Sequence, residues 1–209
     1  MNVSRLRQAA AAFLHRYPGG FENPELVATR VKKHKPDQMI ALARDSFSRE
    51  NFRLPDGIVQ NMIKLISRSS IISVFEKPRF RDFANALPPQ ERAFLSTGLE
   101  ELLHGDEQTG FEMVLDLLKS GKVAKWSLMT VCQTYFHPQR DVFIKPTTVK
   151  GVIEFFELQN LQYKPTPSWA FYESYRSAFH EMKSRVDKSL SPTNAAFSGF
   201  LWITIRGEL

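Results

Sequence analysis

Pro88 to Gly121 reads PPQERAFLSTGLEELLHGDEQTGFEMVLDLLKSG, and this stretch decides the fold class. Pro88-Pro89 opens a segment in which Phe94, Leu95, Leu99 and Leu102 recur at helical spacing, closed by His104-Gly105. Asp106-Glu107 then starts a second segment with Phe111, Val114, Leu115 and Leu118 on one face, broken at Ser120-Gly121. Proline fits the first turn of a helix and glycine the end of one, so punctuation and periodicity agree on two consecutive helices.

The same grammar extends in both directions. Leu6, Ala10, Phe13 and Tyr17 form a stripe ended by Pro18-Gly19-Gly20, and Asn23-Pro24-Glu25 supplies a cap, a first-turn proline and a first-turn acid. Met39, Ile40, Ala43 and Phe47 follow Lys35-Pro36; Ile58, Met62, Leu65 and Ile66 follow Leu54-Pro55-Asp56. Ile71-Ile72-Ser73-Val74-Phe75 is the best strand candidate by β-branching, but with no partner run nearby it is expected as buried helix. Beyond Gly121, stripes are carried by Leu128, Val131, Cys132 and Tyr135; by Val149, Val152, Ile153 and Phe156; and by Tyr172, Tyr175, Phe179, Met182 and Val186 after Thr166-Pro167. A last helix after Ser191-Pro192 is expected to dock Phe197, Phe200, Leu201 and Trp202. The expectation is an all-α chain of roughly ten helices, one compact multi-helix domain over residues 1–209 with a subdomain boundary near 120–122.

Composition narrows the classes of function. A hydrophobic fraction of 43% with 17 Phe in 209 residues suits a globular core and excludes a disordered chain. Nothing approaches the roughly 18 consecutive apolar residues of a membrane span, so a cytoplasmic protein without membrane association is expected. The single Cys132 excludes internal disulfides and cysteine metal clusters and is expected as a buried small hydrophobe. The net charge of +6 favours anionic partners. It is unevenly spread: seven acids against Arg92 between Glu91 and Asp116, then six bases against Asp141 from Lys119 to Lys150.

No glycine-rich phosphate loop, GxSxG, HExxH, CxxC or EF-hand loop is present. His104-Gly105-Asp106-Glu107 offers one nitrogen and two carboxylates, but reads as a helix end followed by an acidic first turn, and no metal or other cofactor is expected. His137-Pro138 reads as a polar helix terminus. An enzyme using Arg or Lys with Glu76 or Asp106 is the third of three functional readings, behind two binding roles.

The binding readings rest on cations and rings. Lys35, Lys77, Lys145 and Lys164 each precede a proline, whereas random order would give fewer than one such pair. Each pair reads as a lysine just outside a helix N-terminus, where an anion between the lysine and the free N–H groups would relieve an unfavourable placement. Two segments mix cations with aromatics: Phe75-Glu76-Lys77-Pro78-Arg79-Phe80-Arg81, and Tyr163-Lys164-Pro165-Thr166-Pro167-Ser168-Trp169. Candidate anion-binding residues are therefore Lys145, Lys164, Lys77, Arg79, Arg81 and Lys35, with nucleic acid or another polyanion as partner. The alternative is a protein-interaction module or homo-oligomer using Trp169 and Tyr172. The basic run Lys32-Lys33-His34-Lys35 reads as an exposed turn.

Phe143-Ile144-Lys145-Pro146-Thr147-Thr148-Val149, then Tyr163 to Trp169 with Phe171-Tyr172, resembles a pattern of an uncharacterised bacterial all-helical family. Ser67-Arg68-Ser69-Ser70, Val74 to Phe80 and the Leu103 to Glu107 turn are similar to it as well, so the resemblance spans most of the chain. It implies an all-helical fold and no particular activity. The helical layout also resembles helix-hairpin-helix DNA glycosylases, but their glycine-rich hairpin and catalytic Lys or Asp are missing, so that activity is not expected.

Overall fold

The computed structural model describes residues 1–208, and the side chains of all of these except residues 29–33. Eleven α-helices follow one another: α1 (Val3–Arg16), α2 (Pro24–His34), α3 (Pro36–Ser46), α4 (Pro55–Arg68), α5 (Glu76–Ala86), α6 (Pro89–His104), α7 (Glu107–Ser120), α8 (Trp126–Phe136), α9 (Pro146–Phe155), α10 (Trp169–Ser184) and α11 (Asn194–Ile205). Short 3-10 turns occur at Gly20–Glu22, Arg49–Arg53 and Lys188–Leu190, and the described residues contain no strand. The all-α expectation holds. No described helix is long and apolar enough to cross a membrane.

Helix α8 is the axis of the core. Nine of its residues, from Trp126 to Gln133 together with Tyr135, are buried, as a helix that is apolar nearly all round must be. Helices α3, α4, α6 and α7 pack against it, and one buried cluster runs from Leu6 to Leu201, with residues on both sides of Gly121 contributing. Cys132 is 2% exposed within this cluster, and burial pushes its thiol up to about 12.

Helices α6 and α7 form the tightest pair. The crossing is built on two glycines: a Cβ on Gly110 would collide with the Leu102 backbone, and one on Gly98 would lie 3.0 Å from the Met113 Cβ. Glycine is unfavourable inside a helix, and here the backbone approach explains it. Asp106 caps α7 by accepting from the Thr109 N–H at 2.7 Å, and the adjoining Glu101 carboxylate accepts from the Asp106 N–H at 2.9 Å.

One expected element is absent. Ile71 to Phe75 forms a turn between α4 and α5 instead of a buried helix. Ile72 is buried, but Val74 and Phe75 are 71% and 77% exposed. Apolar composition suggested burial, but Ser73 turns the chain: its carbonyl accepts from the Glu76 and Lys77 N–H groups, and its hydroxyl accepts from the Phe75 N–H. At the other end, α11 docks Phe197, Phe200 and Leu201, while Trp202 lies outside at 36% exposure beneath the Arg206 guanidinium.

Candidate anion-binding cleft

The four Lys-Pro pairs do not share one geometry. Lys145 caps α9, exposed, with Pro146 at the first helical position as expected. Lys35 joins α2 to α3 in the left-handed region at φ 42°, again before a first-turn proline. Lys77 lies inside the first turn of α5, half-buried, not outside it. Lys164 is exposed in the loop before α10, four residues short of the Ser168 cap, so it borders no helix N-terminus. Its carbonyl is tied down by the Trp126 Nε1–H at 2.8 Å, which explains an extended proline-rich segment there. Lys32 and Lys33 of the basic run lie outside the described side chains.

Tyr172 is fully buried, so it offers no face to a partner. Its hydroxyl donates to Asp141 at 2.9 Å and accepts from the Val142 N–H at 3.3 Å. Burial, then the Asp141 charge, raises its pKa well above the ordinary tyrosine value. Asp141, 1% exposed, is also paired to Arg176 and Arg140, both at 2.9 Å, and Glu107 bridges the same two guanidinium groups. Trp169 is half-buried, and Arg176 stacks over both it and Tyr172. Two carboxylates meet two guanidinium groups here, joining α7, the loop after α8 and α10. The cluster is charge-balanced and hydrogen-bonded, and it ties these three elements together.

Three other cations meet elsewhere. Arg79 of α5 and Lys122 and Lys125 of the α7–α8 connection line one small cleft with Glu76, Val123 and Leu128. Its shape follows from a tight chain reversal. Gly121 passes so close to Phe83 that a Cβ would strike the ring, and Lys122 adopts a left-handed φ of 56°. The Val123 N–H then donates to the Leu118 carbonyl, and the Lys125 N–H to the Val123 carbonyl. Glu76 is held in place by the Ser127 hydroxyl, which donates to it at 2.7 Å, while its other oxygen accepts from the Ser73 N–H at 3.3 Å. Arg79, Lys122 and Lys125 are exposed and carry no side-chain ion pair or hydrogen bond among the described residues. By contrast Arg81 is paired with its neighbour Asp82 at 2.9 Å.

The cleft thus includes Arg79 from the expected set and two lysines that sequence reasoning counts in the basic block without a site role. Their signal was the block itself; the folding of Lys122 and Lys125 back onto α5 was not legible locally. Phe80, in the same aromatic-cationic segment, is a core residue at 1% exposure. His104 donates Nε2–H to the Phe47 carbonyl at 2.8 Å and His137 donates to that of Leu103 at 2.9 Å, so both rings hold backbone together. Among the described residues no group of three His, Cys, Asp or Glu could hold a metal ion. Comparison with protein-family models, curated proteins and solved structures finds no match.

Proposed function

We propose that this chain is a cytoplasmic, non-catalytic binding protein for an anionic polymer, with nucleic acid as the partner class that best fits its charge and its rings. The observation that carries this reading is the meeting of three unpaired cations, Arg79 of α5 and Lys122 and Lys125 of the α7–α8 connection, around one cleft. Other arginines are tied to internal partners: Arg92 to Asp56 and the Leu87 and Asn85 carbonyls, Arg140 and Arg176 to Glu107 and Asp141. Cations that converge without a partner are a ready electrostatic footprint for phosphates. Glu76 offsets one of the three charges, and its hydrogen bonds from Ser127 and Ser73 fix it in the cleft lining.

Retention on heparin and the absorbance ratio of the protein before and after a high-salt wash test this reading. Parent protein should be retained and should carry nucleic acid that salt removes. The Arg79→Gln, Lys122→Gln, Lys125→Gln variant should elute earlier with an unchanged far-ultraviolet spectrum. Equal retention of parent and variant would refute the assignment of this cleft.

A further inference from the structure

We propose that the Phe75 ring is a stacking platform for an unpaired base of single-stranded nucleic acid whose phosphates lie on Arg79, Lys122 and Lys125. The inference rests on the polyanion reading above and names the form of polymer that the site selects.

Among the described residues Phe75 is the most exposed large hydrophobic side chain, at 77%, next to Val74 at 71%. Nothing local accounts for the exposed ring. Phe155, itself 37% exposed, packs on Phe156 and lies under the Arg5 guanidinium, whereas Phe75 has no ring or cation contact among the described residues. Its backbone is nevertheless fixed. The Ser73 hydroxyl accepts from the Phe75 N–H, the Ser73 carbonyl closes the turn onto Glu76 and Lys77, and the Glu76 carboxylate returns to the Ser73 N–H. The hydrogen-bonded turn fixes the backbone that carries the ring, so only the side-chain torsions remain to be ordered on contact.

Position links the ring to the cations. Phe75 immediately precedes Glu76, which lines the cleft with Arg79, Lys122 and Lys125, so its backbone stands directly beside the cleft lining and its ring within a side chain's reach of it. An aromatic face beside a basic groove is the arrangement that binds single strands, because every base has a π-face and the backbone follows the charge. In a duplex those faces are stacked and unavailable, so the site should prefer single strands. A membrane surface fits less well: interfacial binding relies on a helix-long apolar face, and here two apolar residues stand on a turn.

Fluorescence anisotropy with a labelled oligothymidylate, an abasic strand of the same length, a duplex and anionic phospholipid vesicles tests the proposal. The parent should bind oligothymidylate more tightly than the abasic strand or the duplex. Phe75→Ala should weaken oligothymidylate binding about tenfold and leave abasic binding unchanged. Phe75→Trp should restore affinity, with indole emission quenched by oligothymidylate and not by the abasic strand. Equal binding of oligothymidylate and abasic strand by the parent, or no effect of Phe75→Ala, would overturn stacking while leaving the polyanion reading intact. Loss of all polyanion binding at low salt would overturn both. Vesicle binding that depends on Phe75, without strand binding, would replace this inference by a membrane contact.

Discussion

At Cys132 sequence and structure meet at a single side chain: an apolar helical stripe placed it inward, and it is buried in α8 with its pKa pushed up to about 12. A bulky thiol reagent should label it no faster than the protein unfolds, and Cys132→Ala should cost about 1–2 kcal/mol. Rapid labelling of the native protein would contradict its burial. Tyr172 carries a second prediction. Burial and Asp141 favour its neutral form in the fold, so its contribution is fully present below pH 10, the ordinary tyrosine value, and is lost as pH rises toward the raised native one. Cys132 acts in the same direction from 9.0 upward. The melting temperature should therefore fall above about pH 9, and Tyr172→Phe should flatten that fall. At neutral pH Tyr172→Phe should cost about 1–3 kcal/mol, because the buried Val142 N–H loses its acceptor. Denaturant titration checks that cost, and thermal melts from pH 8 to 11 check the slope.

Among elements, the α6–α7 pair was the most legible, since proline, acidic first turns and apolar spacing all marked its ends. Its packing distance was written in Gly98 and Gly110, whose unfavourable placement inside helices signals a close backbone approach only once a partner helix is known. Gly110→Ala must move Leu102 backbone rather than a flexible side chain, so it should destabilise by about 1–3 kcal/mol. Calorimetry should show a clear drop in melting temperature, and an unchanged one would mean that the helices are further apart. The turn at Ile71 to Phe75 was not legible, because hydrophobicity reports a tendency to be buried and cannot say that Ser73 will reverse the chain. Lys164 failed as a helix-terminal lysine for a related reason: its proline serves an extended loop anchored by Trp126 instead of a helix start.

Across the whole molecule the uneven charge has two fates. Part of the acidic α6–α7 block is consumed internally, as Glu107 pairs with Arg140 and Arg176, and part of the basic block after it, Lys122 and Lys125, folds onto α5 beside Arg79. Position along the chain could report the imbalance but not this pairing, which depends on the turn at Gly121. Binding of a polyanion by these three cations, as proposed, is read out by the salt dependence of affinity for a single-stranded oligonucleotide. The parent should lose affinity steeply with salt, and the Arg79→Gln, Lys122→Gln, Lys125→Gln variant should show a log–log slope shallower by about 2, since each phosphate contact contributes about 0.7 on single strands. The Lys145→Gln, Lys164→Gln variant should keep the parent slope. A triple variant with the parent's affinity and slope, or a parent that binds no polyanion at low salt, would contradict polyanion binding at this cleft.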